Sequence, residues 1–173
     1  KLGTGGMGTV FEAVDERQGR SVALKLIAAD SLSSDVSVQR FRQEARMASA
    51  VTHPRCVFVL AVDDDRGRPY LVMELMPGTT LQSLVEQKGS LEPADAILKM
   101  FDVIEGLEEF HKLGMIHRDV KPSNCFLEAG GRVKIGDFGL SKAVEGGADL
   151  TRTGAFLGTP LYASPEQIKR DPL

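Results

Sequence analysis

The chain opens with "KLGTGGMGTV", and Gly3, Gly5 and Gly8 fall in the spacing G-x-G-x-x-G. Glycines at that spacing let a backbone approach phosphate oxygens closely. Two frameworks use it: a loop that opens a helix and cradles a dinucleotide's pyrophosphate, and a hairpin loop that covers nucleotide phosphates. The residues that follow separate them. Val10, Glu12 and Val14 alternate with Phe11 and Ala13, "DERQGR" is a turn-rich break, and Val22 to Ile27 is apolar and β-branched. This predicts strand, turn, strand, with the glycine loop at the hairpin tip. Asp30 lies about where a ribose-binding acid would sit, but the strand–helix–strand context of that reading is missing. Taken alone, the glycines also read as a plain hairpin turn.

"VALK" adds weight to a phosphate site, because it sets Lys25 inside an apolar strand. A lysine there is costly unless its ammonium reaches water or an anion. Further along, "SSDVSVQRFRQEARMASAV" predicts a helix, with Ser33 or Ser34 as N-cap and Val38, Phe41, Ala45 and Ala48 in one stripe. Glu44 borders that stripe. "HPRCVFVLAVDDD" and "RPYLVMEL" predict two more strands, joined by a polar turn from Asp63 to Arg68. After the break "MPGTT", Thr80 caps a short helix ending near Gly89. "LEPADAILKMFDVIEGLEEFHKLG" predicts a long helix, with Pro93 in its first turn and Gly114 past its end. Ile97, Phe101, Ile104, Leu107 and His111 share one face of it. "NCFLE", "AGGR" and "VKIGD" predict a second small hairpin. The layout is a β-rich lobe over residues 1–76 and a mostly helical lobe over 77–173, with a hinge near 74–78.

Composition narrows the class. Of 173 residues, 42% are hydrophobic and 26% charged, which fits a globular chain and argues against disorder. The formal net charge of −3, with dispersed basic residues, gives no general nucleic-acid or membrane surface. No run approaches the roughly 18 apolar residues of a membrane span. Cys56 and Cys125, in apolar surroundings, read as buried free thiols in a reducing compartment. Two cysteines and three scattered histidines do not make a zinc set. The chain lacks an initiator Met and opens inside a motif, so a fragment is expected.

The most informative stretch is "HRDVKPSN" at 117 to 124, followed by "DFG" at 137 to 139 and "SPE" at 164 to 166. With the glycine loop, Lys25 and Glu44, these motifs stand in the order of the protein kinase family, which the chain resembles over nearly its whole length. The resemblance implies an α+β bilobal fold: a small antiparallel β-sheet lobe with one main helix, then a mostly helical C-terminal lobe, here incomplete. It implies phosphoryl transfer, whose loose transition state is served by positioning and charge stabilisation.

The same resemblance implies roles for particular residues. Backbone amides around Gly3, Gly5, Gly6 and Gly8 cover the ATP phosphates. Lys25 holds the α- and β-phosphates, oriented by Glu44, which without the match reads as a solvated helix carboxylate. Asp137 and Asn124 ligate Mg2+. Asp119 accepts the substrate hydroxyl proton, and Lys121 reaches the γ-phosphate. The adenine meets the Glu74 carbonyl and the Met76 backbone, with Leu75 between them, Met73 as gatekeeper, Val10 and Ala23 as roof and Phe126 as floor. Residues 140 to 157 form an activation loop, in which Thr151 and Thr153 are either autophosphorylation sites paired by Arg118 and Lys142 or solvated loop threonines.

"DVKPSN" and "GTPLYASPEQ" resemble the Ser/Thr branch, and "VALKLI" with "YASPEQ" resembles bacterial kinases of the eukaryotic-like type. The implied partners are ATP and proteins bearing Ser/Thr acceptors, with a dimer for trans-autophosphorylation. The implied location is the cytoplasm, or the cytosolic side of a membrane-anchored parent. Two other readings stay open: a nucleotide-responsive pseudokinase scaffold, which intact Lys25, Asp119, Asn124 and Asp137 disfavour, and a small-molecule phosphotransferase, which the peptide-docking segment "GTPLYASPEQ" disfavours. Three departures from the family pattern stand out. "SPE" replaces the usual "APE". Ala48 is small where the family stacks a larger apolar residue. The chain stops at Leu173, before helices that pair with the glutamate matching Glu166. A 173-residue segment is therefore expected to be poorly stable or inactive by itself, with apolar faces exposed.

Overall fold

The computed structural model describes residues 1–5, 8–28, 32, 34–137 and 160–169. Gly6, the loop threonines Thr151 and Thr153, Lys142 and the last two residues of "DFG" lie outside that set, as do Asp30 and Ser33.

The first sheet has strands β1 (Gly3–Gly5), β2 (Gly8–Asp15), β3 (Arg20–Ile27), β4 (Val59–Asp65) and β5 (Arg68–Glu74), in the order β1-β2-β3-β5-β4. Every neighbouring pair is antiparallel. The β2–β3 hairpin forms where the alternation and "DERQGR" place it. The glycines are not at its tip, however. Gly3 and Gly5 form the short strand β1, and Gly5 pairs with Gly8 at the start of β2. The glycine loop is thus the tip of a separate hairpin, at the end of β2 opposite the 16–19 turn. Gly8 has φ +145, a backbone conformation that side-chain-bearing residues rarely adopt, and a side chain there would overlap the carbonyl oxygen of Leu26 on β3. Only glycine fits this close approach.

Helix α1 (Asp35–Ser49) follows, capped by Ser34, whose side chain accepts from the Ser37 amide in a reciprocal capping box. Phe41, Ala45 and Ala48 are fully or almost fully buried against the sheet, so the stripe faces the core. Fully burying a phenylalanine is worth about 1.5–3 kcal/mol, and Phe41 is the largest side chain to anchor this helix. The stretch "HPRCVF" differs from expectation. It forms no strand of the first sheet, which resumes only at Val59. Residues 55–57 instead run beside the second sheet: the Ile135 amide donates to Arg55 O (2.8 Å) and the Val57 amide to Ile135 O (2.9 Å). The Arg55 carbonyl and the Val57 amide are thus satisfied by Ile135, whereas both backbone groups of Phe58 are satisfied by Glu74 at the end of β5.

The second half holds α2 (Leu81–Lys88), capped by Thr80 and closed by Gly89, then α3 (Pro93–Lys112) with Pro93 in its first turn. Strands β6 (Cys125–Leu127) and β7 (Val133–Ile135) make a two-stranded antiparallel sheet, and a short helix α4 (Pro165–Lys169) is the last of the described elements. The buried side of α3 carries Lys99, Asp102, Val103, Gly106 and Phe110. Gly106 sets the approach, since a Cβ there would lie 2.8 Å from both Arg55 O and Ile135 Cγ2. The apolar face of Ile97, Phe101 and Ile104 turns outward, at 55%, 58% and 46% exposure. This outward face agrees with the expectation of exposed apolar surface on the helical lobe. Asp102 is buried and bonded by Arg132 and the Val133 amide. Burial pushes its carboxyl up, but the Arg132 hydrogen bond, the Val133 amide and the charges of Arg132 and Arg55 outweigh that and hold it below the usual carboxylate range.

Cys56 and Cys125 are free and buried. Burial pushes their thiols up to about 12 and about 11, so both behave as apolar fillers and not as nucleophiles. Among the described residues no helix is long and apolar enough to cross a membrane.

Candidate active site

Residues directly opposite in an antiparallel pair share a face. Val10 faces Lys25 across β2–β3, and Ala23 faces Met73 across β3–β5. Val10, Ala23, Lys25 and Met73 therefore lie on one side of the first sheet. Lys25 is almost fully buried, and its ammonium lies 2.6 Å from Asp137 Oδ1, on the segment that leaves β7. The strand lysine has its anion. Among the described residues the ion pair of Lys25 runs to Asp137 and not to Glu44, which is half-buried on α1.

Asp137 is reached through a framework of short bonds. Gly136 just before it is fixed on both sides: its amide donates to Asn124 O (2.9 Å) and its carbonyl lies 3.1 Å from His117 Nε2. The Asp119 amide donates to His117 Nδ1 (3.3 Å), so that nitrogen is the acceptor and Nε2 carries the proton donated to Gly136. The imidazole is neutral. Burial lowers its pKa, while the Gly136 carbonyl and the charges of Asp119 and Asp137 pull the other way without overcoming it. His117 also meets the ring of Phe110 edge-on, with centroids 5.9 Å apart.

Asn124, in a 3-10 turn over Pro122–Asn124, donates from Nδ2 to Asp119 O (2.8 Å) and to Asp119 Oδ2 (3.0 Å). Lys121 Nζ sits 2.8 Å from the same Asp119 oxygen. Two side chains of the site have backbone in the left-handed region, Arg118 at φ 63 and Asp137 at φ 56. For non-glycine residues that costs on the order of 1–3 kcal/mol each and persists only where the surroundings over-determine it. Here the bonds through Gly136 and Asn124 do so.

The structure thus links Lys25, Asp119, Lys121, Asn124 and Asp137 in one polar network between the two sheets. Arg118 stands beside it: its carbonyl accepts from Gln167 Nε2 of α4 (2.7 Å), and its Nε is buried without an acceptor among the described residues. Phe126 on β6 is half-buried against the main core, as Met76 is. Glu74 ends β5; its amide donates to Phe58 O (3.0 Å), and its carboxylate accepts from the Phe58 amide and from Lys134 Nζ, each at 2.8 Å. The sequence reading passed over His117, Gly136, Gln167 and Lys134.

The whole chain, residues 1–173, matches the family model described as the protein kinase domain. The chain belongs to the protein kinase family. This kinase chain is 41% identical over 97% of its length to a probable serine/threonine-protein kinase of Streptomyces coelicolor. It is 40% identical over 98% to the serine/threonine-protein kinase PknL of Mycobacterium bovis. It is 41% identical over 96% to PknA of Mycobacterium tuberculosis. It spans 26%, 42% and 39% of those three proteins. Among solved structures it resembles Rad53 in complex with AMP-PNP, with a TM-score of 0.78 and 27% identity, covering 96% of this chain and 40% of that one. The bilobal kinase fold and the likeness to bacterial Ser/Thr kinases, both expected from the motifs, stand.

Proposed function

We propose that the protein carrying this chain transfers the γ-phosphoryl group of Mg-ATP to serine or threonine hydroxyls of proteins. The observation that carries the reading is the Lys25–Asp137 pair joined through Gly136 and Asn124 to Asp119. The names of its relatives and the ATP analogue held by Rad53 support it.

In this reading residues 1–76 and 77–173 are the two lobes, and the nucleotide lies between them. Lys25 shifts its ammonium from Asp137 toward the α- and β-phosphates, with Glu44 as its orienting carboxylate. The amides near Gly3, Gly5, Gly6 and Gly8 cover the phosphates. The Glu74 carbonyl and Met76 backbone meet the adenine, beside Val10, Ala23, Met73 and Phe126. The donor set fits a magnesium ion: Asp137 offers hard carboxylate oxygen, and Asn124, whose Nδ2 is turned to Asp119, offers Oδ1. The bound ion would supply charge neutralisation at the phosphate oxygens. Asp119 is fixed by Asn124 and Lys121, aligns the acceptor hydroxyl and takes its proton. Lys121 faces the γ-phosphate.

Thr151 and Thr153 are autophosphorylation sites in this reading, within a transient dimer, and Arg118 is the cation that receives the phosphate. The buried Arg118 Nε supports that role. The cytoplasm, or the cytosolic side of a membrane-anchored protein, is where ATP would be met. The test is transfer of labelled phosphate from ATP to Ser/Thr peptides by the full-length protein. The expected result is transfer that Asp119→Asn abolishes. Transfer that survives Asp119→Asn, or transfer to aminoglycosides and not to peptides, would overturn the reading.

A further inference from the structure

Lys134 has no role in the scheme above, yet it is among the most enclosed charged residues of the fold. It lies on β7 opposite Phe126, with its side chain only 7% exposed. Its ammonium is 2.8 Å from both carboxylate oxygens of Glu74, 60 residues away in the other sheet. It also lies 4.4 Å from the centre of the Phe58 ring and 3.9 Å from Glu128 Oε1. Phe58 completes the arrangement. Its amide donates to Glu74 Oε1 and its carbonyl accepts from the Glu74 amide. Glu74 is therefore held through its amide and through both carboxylate oxygens, at the point where β5 ends and the chain crosses to the second lobe.

We propose that Lys134 is a positioning residue for the nucleotide, acting through Glu74 to fix the orientation of the hinge backbone. The inference rests on the kinase reading, in which the Glu74 carbonyl accepts from adenine. With its amide and carboxylate both tied, Glu74 has its Cα and side chain fixed in place, which narrows the directions that its carbonyl, in the next peptide plane, can take. Lys134 is the cross-strand partner of Phe126 and shares its face of the β6–β7 pair, so one pair of strands carries both the floor of the base site and the group that ties its hinge acceptor. An ion pair serving stability alone would be replaceable by apolar groups of similar volume. One that orients a ligand contact would not.

The test uses the full-length protein and three variants. Lys134→Met keeps the stem and removes the charge, Lys134→Arg keeps the charge, and Glu74→Gln weakens the pair from the other side. KM for ATP, KM for peptide, kcat and melting temperature are measured for each, together with the double variant Glu74→Gln, Lys134→Met. The expected result for Lys134→Met is a rise in KM for ATP on the order of fivefold or more, with kcat lowered less than about twofold and peptide KM unmoved. Lys134→Arg restores most of the ATP KM, and the double variant is no worse than the worse single one, because the two residues act as a unit. Unchanged ATP KM in Lys134→Met overturns the inference. So does a loss of kcat and both KM values in step with the melting temperature, or full additivity in the double variant. Should Lys134→Met fail to fold, Glu74→Gln and Lys134→Arg decide: an ATP KM unmoved by Glu74→Gln overturns the inference. A wild-type protein without transfer overturns the kinase reading itself, whereas active wild type with unmoved ATP KM overturns only the role of Lys134.

Discussion

Lys25 Nζ lies 2.6 Å from Asp137 Oδ1, although 112 residues separate the two in sequence. Lys25 belongs to the first sheet and Asp137 to the segment that leaves the second, so this pair closes the space between the lobes. An ammonium so thoroughly buried is stable only beside an anion, and a nucleotide's phosphates are chemically equivalent partners to the carboxylate it now holds. Lys25→Met should lower kcat/KM for ATP-dependent transfer by on the order of 10²–10³, as removal of a preorganised charge donor does. Steady-state rates at varied ATP check it, and a loss under tenfold would mean that Lys25 does not meet the phosphates.

How far the sequence foretold this site depends on which kind of signal each residue carries. Ser34, Thr80, Pro93 and Gly114 carry local chemistry, namely caps and stops, and the helices begin and end where these residues put them. Lys25 was legible because a charge inside an apolar strand demands an explanation. Lys134 in "VKI" makes the same demand, and the argument applied at residue 25 would have found it. His117 and Gly136 carry no such mark. Their roles rest on the bond between His117 Nε2 and the Gly136 carbonyl, 19 residues distant, and on the Gly136 amide's bond to the Asn124 carbonyl, which only the tertiary fold creates. "HPRCVF" misled because its alternation suits a strand, and a segment that bonds Ile135 across the lobes has the same apolar content as one that joins the first sheet. The outward face of α3 was legible as a stripe, but periodicity marks a stripe without saying which side meets the core; Gly106 decides that.

Gly8→Ala tests the glycine hairpin. A Cβ at position 8 would overlap the Leu26 carbonyl oxygen, and the backbone has positive φ. The substitution must pull β2 away from β3 just above Lys25. We expect a loss of about 1–3 kcal/mol of stability, read as a lowered urea midpoint, along with weakened ATP binding. Gly3→Ala is the control, because a Cβ there meets nothing within 4 Å. Equal stability of the two variants would refute the close-approach account.

Thr151→Ala together with Thr153→Ala tests the regulatory reading. A phosphothreonine adds roughly −1.5 to −2 charges near neutral pH. Arg118 Nε, buried without an acceptor among the described residues, is suited to receive it. The double variant is expected to lower turnover severalfold and to remove phosphate from the 151–153 segment in mass spectra of the purified protein. Unchanged initial rates would count against these threonines.

His117 gives the pH prediction. Its folded-state pKa is lowered, chiefly by burial, from an ordinary value of 6.5. Between the two values the unfolded chain binds a proton that the folded protein does not, so stability rises with pH. The contribution is complete above the unfolded value and is lost as pH falls toward and through the folded one. Protonation would place a second hydrogen at Nδ1, against the Asp119 amide that now donates to it. Loosening that bond frees the Gly136 carbonyl, and with it the backbone just before Asp137. Urea midpoints should therefore fall as pH is lowered from 7.5 to 5. In His117→Gln, which cannot titrate, the slope across that window should flatten, although the variant is less stable at every pH. Parallel slopes in the two proteins would assign the acid sensitivity to another group.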